Sequence, residues 1–201
     1  GDSTAWSPMN QGFVQVMGDE YGVAAGHWRK TTITGNRVSI AYYDALWRSL
    51  IVSEYDAAAP GTIRFTGKEY DNEGRTVFSS YPAATANSDR GTWTVYDALG
   101  RTTSVTQNSE LGDLTTSLSY LRDASGVFTL ARNPRGAETR TWYRMLDQPS
   151  FDSPTRILQP EGGLTVIDRD AFGKPLCMRR SSADGSLEAA RAYSYHAGQE
   201  L

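Results

Sequence analysis

Six aspartates recur in one frame and are the first residues to weigh for chemistry. Five stand three residues before a glycine: Asp19 before Gly22, Asp71 before Gly74, Asp97 before Gly100, Asp123 before Gly126 and Asp170 before Gly173. Asp44 keeps the frame, with Trp47 in the glycine position. Carboxylates in register can hold a metal, transfer protons or cap turns. A metal needs several convergent ligands, and the two histidines, His27 and His196, have no second candidate ligand nearby in sequence. No Gly-x-Ser-x-Gly elbow is present, and Glu161-Gly162-Gly163 lacks the Lys-Ser/Thr of a phosphate loop. The spacing sets one aspartate on each local unit, which suits a carboxylate bonding the backbone amides of its own turn. No catalytic residue, metal or cofactor is therefore expected. Cys177, between Leu176 and Met178, reads as a small core residue.

The elements that position these aspartates are hairpins. Thr92-Trp93-Thr94-Val95-Tyr96 is dense in β-branched and aromatic residues, which suits a half-buried strand. Asp97 and Gly100 then supply a tight turn, and an extended run resumes at Arg101. Steps of 25, 27, 26 and 26 residues separate Asp19, Asp44, Asp71, Asp97 and Asp123. Counting 26 residues either way from Asp170 lands on Arg144, opening a degenerate copy Arg144-Met145-Leu146-Asp147, and on His196. A second turn travels with the first: Asn133-Pro134-Arg135-Gly136 and Gln159-Pro160-Glu161-Gly162 are also 26 apart. Each period thus holds two turns and two strands, the mark of a repeat array.

Around the copies, Phe13–Met17 alternates like a strand, and polar or small-residue loops are expected at Ala57–Gly61, Pro82–Gly91 and Asn108–Asp113. Ser186–Tyr193 is the nearest thing to a helix and spans one or two turns at most.

Composition narrows the class. Of 201 residues, 39% are hydrophobic and 11% aromatic, and Trp and Tyr (5 and 11) outnumber Phe (6), a bias that suits strands with one wet face. The net charge is −3 with scattered Lys and Arg, which argues against a nucleic-acid partner. A single cysteine excludes an internal disulfide. No run is long and apolar enough for a transmembrane segment, and Gly1-Asp2-Ser3-Thr4 lacks the basic start and apolar core of a signal peptide.

Tyr43-Asp44-Ala45-Leu46-Trp47-Arg48, Tyr70-Asp71-Asn72-Glu73-Gly74-Arg75 and Tyr96-Asp97-Ala98-Leu99-Gly100-Arg101 together resemble the tyrosine-aspartate (YD) repeat of bacterial Rhs proteins, toxin-complex subunits and teneurins. The Asn133–Gly136 and Gln159–Gly162 elements resemble the Asp-Pro-x-Gly turns of the same arrays. The resemblance implies an all-β fold: sequential antiparallel hairpins forming one long curved or spiralling sheet, part of a shell. Residues 1–18 read as a leading strand or partial repeat, and residues 19–201 as an array of about seven copies truncated at the C-terminus. Function by resemblance is structural: a wall that encloses or presents a polypeptide such as a C-terminal toxin, in a secreted or cell-surface bacterial protein. Its partners would be the remaining repeat segments of the parent chain, and open sheet edges would favour self-association of an isolated segment.

Departures from the pattern are Trp47 for glycine, Arg169 for the tyrosine before Asp170, and Arg144 and His196 for aspartate. Rhs shells cut themselves at a motif resembling Pro-x4-Asp-Pro-x-Gly-Leu, and Pro154–Gly162 has its outline. Gln159 and Gly163 replace the aspartate and leucine, however, and a neutral amide transfers no proton. Tyr43, Tyr70 and Tyr96 read as a packing ladder between hairpins. The alternative function is an adhesion module that recognises surface glycans or proteins, with Trp93, Trp142 and Tyr143 as candidate exposed aromatics.

Overall fold

The computed structural model describes residues 7–145 and 149–195. Gly1–Thr4, Leu146, Asp147 and His196 onward lie outside them, and with them part of the degenerate copy at 144–147 and the copy expected at 196. Among the described residues there are fifteen strands and no helix. The strands pair antiparallel with their neighbours, and their hydrogen-bonded order follows the chain from first to last. The fold is therefore all-β, built as sequential hairpins. The chain divides into two compact units, residues 1–95 with 105–113, and residues 96–104 with 114–201.

The first unit holds β1 (Met9–Gln15), β2 (Trp28–Thr34), β3 (Arg37–Tyr43), β4 (Ser49–Asp56), β5 (Ala59–Tyr70), β6 (Thr76–Ser80) and most of β7 (Gly91–Tyr96). Its core comes from alternation. Side chains two apart share a face, so Tyr42, Ile51 and Gly67 form one row, and Ile40, Ser53 and Phe65 the next. Val23, Tyr42, Ile51 and Phe65 are the buried apolar cluster, with Ile40, Leu50, Ile63 and Ala86 against it. Two loops roof this face. The segment between β1 and β2 brings in Val23 and buried His27, whose Nε2 lies 3.3 Å from Glu20, itself 2.6 Å from Arg29. The segment between β6 and β7 brings in Ala83, which exchanges two backbone hydrogen bonds with Phe65 at 2.8 and 2.9 Å.

The second unit holds most of β9 (Gly112–Asp123), and β10 (Gly126–Arg132), β11 (Glu138–Met145), β12 (Pro149–Leu158), β13 (Leu164–Arg169), β14 (Pro175–Ser181) and β15 (Glu188–Ala192), while β8 (Thr102–Ser109) is shared. Its buried residues, among those described, are Phe128, Thr129, Trp142 and Ile167. Phe128 and Thr129 are adjacent in a strand, so they point to opposite faces.

Several sequence expectations change at this level. Ser186–Tyr193 contains β15 rather than helix, because Ala189–Ala192 pair along β14. The loops expected at Ala57–Gly61 and Asn108–Asp113 are tight hairpin turns, with most of their residues drawn into the flanking strands. Cys177 is half-buried rather than core, opposite Asp168 and Ala192.

Candidate functional site

The aspartate turns are built alike at three positions. Asp44, Asp71 and Asp97 each donate their backbone N–H to the carbonyl four residues on, and the residue at the glycine position donates back to the aspartate carbonyl. One carboxylate oxygen accepts the N–H groups two and four residues on, at 2.9–3.0 Å. The other accepts Nε–H of Arg48, Arg75 or Arg101 at 2.7, 2.6 and 2.7 Å. Gly74 and Gly100 have φ of 81° and 78°, the left-handed region open to glycine. Both oxygens of each carboxylate are thus engaged by its own turn and by the arginine that follows it. Among the described residues, no group of three or more His, Cys, Asp or Glu is placed to hold a metal ion.

The arginine carries the turn to a later strand. Arg48 lies 4.9 Å over the Tyr70 ring, and Arg101 lies 4.2 Å over Tyr120. Each tyrosine hydroxyl donates to the carbonyl just past the turn, Tyr70 to Ser49 and Tyr120 to Thr102, at 3.0 Å. Lys174, Tyr195 and Pro175 repeat the arrangement after Asp170, with the lysine amine at 5.1 Å and a 2.7 Å hydroxyl bond. The result is a clasp of carboxylate, cation and tyrosine joining hairpins about 26 residues apart. A cation over an aromatic face contributes about 0.5–1 kcal/mol at exposed sites.

This geometry refines the tyrosine ladder. Its rungs are arginine on tyrosine, not tyrosine on tyrosine. Tyr70 belongs to it, Tyr96 is half-buried, and Tyr43 instead joins an aromatic group with Trp47. Tyr120 and the three arginines were not singled out as clasp residues by the sequence. The signal available was the invariable Arg four residues after Asp44, Asp71 and Asp97.

Two expected repeat turns stand apart. Asp19 bonds the Ala25 N–H at 2.7 Å, while Glu20–Val23 closes a separate turn with Tyr21 at φ 53° and Gly22 at φ 84°. This bend lies in a roofing loop, outside the strand ladder. Asp123 pairs directly with Gly126 across a two-residue loop, and its carboxylate accepts the Trp142 indole N–H at 3.0 Å. Asp170 and Gly173 (φ 86°) keep the common turn without the Nε bond, because Lys174 replaces arginine. The Gly136 and Gly162 turns share its backbone pattern, with φ of 82° and 84°. Arg144 donates to the Asp170 carbonyl, the same reach that Arg48 makes to Asp71.

The three candidate binding aromatics separate. Trp142 is 5% exposed, between Phe128 and Arg156, so it is not a surface residue. Tyr143 is half-buried, its hydroxyl 3.0 Å from Thr129 and its ring against Phe151. Trp93 is half-buried on Phe78 at 4.7 Å and lines a cavity of about 750 Å³ in the first unit. That volume is in the range of small-molecule clefts. Its floor is Ile51, Gly67 and Phe78, and its walls are Tyr21 from one roofing loop and Ala86–Asp89 from the other.

No family model matches the chain, and no curated protein matches it. Solved structures weakly similar to this chain include the following two. One is a TcdB2–TccC3 crystal structure lacking the hypervariable C-terminal region, at TM-score 0.29 and 11% identity over 80% of this chain. The other is the Photorhabdus luminescens Tc holotoxin pore with a TccC3 mutation, at 0.24 and 12% over 88%. The chain spans 14% of the length of each.

Proposed function

We propose that this chain is a non-catalytic wall segment of a YD-repeat, Rhs-like shell that encloses or presents an associated polypeptide, such as a C-terminal toxin, in a secreted bacterial protein. One observation carries the reading: the carboxylate–arginine–tyrosine clasp is complete at Asp44 and at Asp97, and at both it ties a hairpin to the one after next. A single hairpin cannot bury an aromatic face in water, and stacking neighbours against one another is how repeat arrays solve that problem. The residue types that recur are thereby accounted for by construction.

The test is protease protection in the parent protein. A polypeptide carried with the array should resist digestion, and Arg48→Ala with Arg101→Ala should make it digestible while far-ultraviolet circular dichroism stays β-rich. A carried polypeptide cut equally fast with and without the array would overturn the reading. A second reading, recognition of a surface ligand, is favoured by the cavity beside Trp93 and is taken to a specific ligand class below.

A further inference from the structure

We propose that the cavity in the first unit is a binding site for a neutral saccharide, with Trp93 and Tyr21 as its aromatic walls and Glu69, Asp89 and Asn87 as its hydrogen-bonding groups. The inference does not rest on the shell reading.

The cavity is concave, about 750 Å³, and formed within one unit from strand residues below and two loops above. Its chemistry is of two kinds. Trp93, Phe78 and Tyr21 offer ring surface, and Tyr21 remains 46% exposed although its ring meets Tyr42 and Phe65 at 5.5 and 5.0 Å. Glu69, Asp89 and Asn87 offer polar side chains that make no side-chain hydrogen bond or ion pair among the described residues.

Charge and polarity select the ligand. A purely apolar guest would strip water from two carboxylates and return no donor, which is costly. An anionic guest would meet Glu69 and Asp89; of the two lining cations, Arg48 is already held by Asp44 and Tyr70, and exposed Lys68 balances only one of the two carboxylates. A pyranose ring answers both requirements, since its C–H face lies flat on an aromatic ring and its hydroxyls donate to carboxylate and amide oxygens.

The backbone at Tyr21 supports the assignment. Its φ of 53° is a conformation that glycine or asparagine adopts far more readily than a bulky residue. Outliers of this kind persist where the surroundings hold them, and they cluster at ligand sites. A glycine would make the same bend without strain, so what tyrosine adds is a ring at the cavity wall.

The experiment is a titration of the whole chain with neutral trisaccharides of glucose, galactose and N-acetylglucosamine, followed by tryptophan fluorescence and calorimetry, with a galacturonate trimer as the anionic comparison. At least one neutral probe should saturate below about 10 mM. Glu69→Gln and Asp89→Asn, both exposed and unpaired, should each weaken that binding about tenfold, because a charge-assisted hydrogen bond becomes a neutral one, and leave the melting temperature unchanged. Trp93→Ala should abolish it. Three results would overturn the assignment: no saturable response to any neutral probe, equal or tighter binding of the galacturonate trimer, or binding indifferent to all three substitutions.

Discussion

The two units use the same hairpins and bury them differently. In the first, Val38, Tyr42, Ile51, Ser53, Phe65 and Phe78 share one face, and two long loops lay Val23 and Ala86 over it. In the second, the buried residues divide between both faces, Phe128 and Trp142 on one, Thr129 and Ile167 on the other. Trp142 is covered there by Arg156 and by the Asp123 carboxylate rather than by a loop. A single sheet has two wet faces and closes a core only where something lies on it. The roof of the first unit also makes its cavity, so core and candidate ligand site have one origin.

The largest effect should come from emptying the roofed core. Phe65→Ala should cost about 3–5 kcal/mol, read by chemical denaturation, and Phe128→Ala in the second unit should cost clearly less. An equal or larger loss at Phe128 would break the contrast, because it would mean the unroofed face packs as tightly as the roofed one.

Turn glycines should behave alike in both units, since the turn does not depend on the roof. Gly74 has no atom within 4 Å of where a Cβ would stand, so Gly74→Val acts through the backbone alone. At φ of 81° and 78°, Gly74→Val and Gly100→Val should each lose at least ~1–2 kcal/mol. A variant melting like the parent would show that its turn had rearranged.

Trp47 sharpens the comparison further. It occupies the glycine position of its turn at φ 60° and is 56% exposed, stacked on Trp28 at 5.5 Å and 22°, with Phe13 and Tyr43 at 6.5 and 6.0 Å. Both Trp47→Ala and Trp47→Gly remove those contacts, but only glycine relieves the backbone. Trp47→Gly should therefore be the more stable of the two by about 1 kcal/mol. Equal melting temperatures would remove the case for strain at this turn.

The smallest effect is on pH, and it should be common to the clasps of both units. At Asp97, the Arg101 side chain and then its backbone N–H hold the carboxyl below its usual value of 3.8. At Asp44 and Asp71, burial pushes the carboxyl up, and the bonds from Arg48 and Arg75 outweigh it. A lowered folded value means the stabilisation is complete above about pH 4 and is lost as pH falls through the folded-state values. Thermal melts in acid should show that decline, and the combined Asp44→Asn, Asp71→Asn and Asp97→Asn variant should flatten it. At the alkaline end, burial pushes Tyr42 up to about 12, so its contribution is complete below pH 10 and is lost as pH rises towards that value.

Much of this was legible in the chain. The 26-residue period, the alternation of strand and turn, and the glycines at left-handed positions follow from local chemistry, since a turn's carboxylate, amides and glycine lie within five residues of one another. The arginine four residues after each aspartate was visible, but its partner was not. Tyr120 and Tyr195 lie some 20 residues beyond their cations, and only the sheet register brings them into contact. Asp19 and Asp123 kept the motif and lost the common turn for the same reason, one drawn into a roofing loop and the other bonded to an indole from a neighbouring strand.

Sequence by itself determined that this protein is a series of antiparallel hairpins and where nearly every bend falls, because those choices are made between residues close in the chain. Tertiary structure alone decided which face of each strand is covered, that Trp142 is buried while Trp47 is exposed, and that a cavity opens beside Trp93. Those outcomes depend on which distant loop comes to rest on a sheet, and a period of two along a strand marks its faces without saying which one will be roofed.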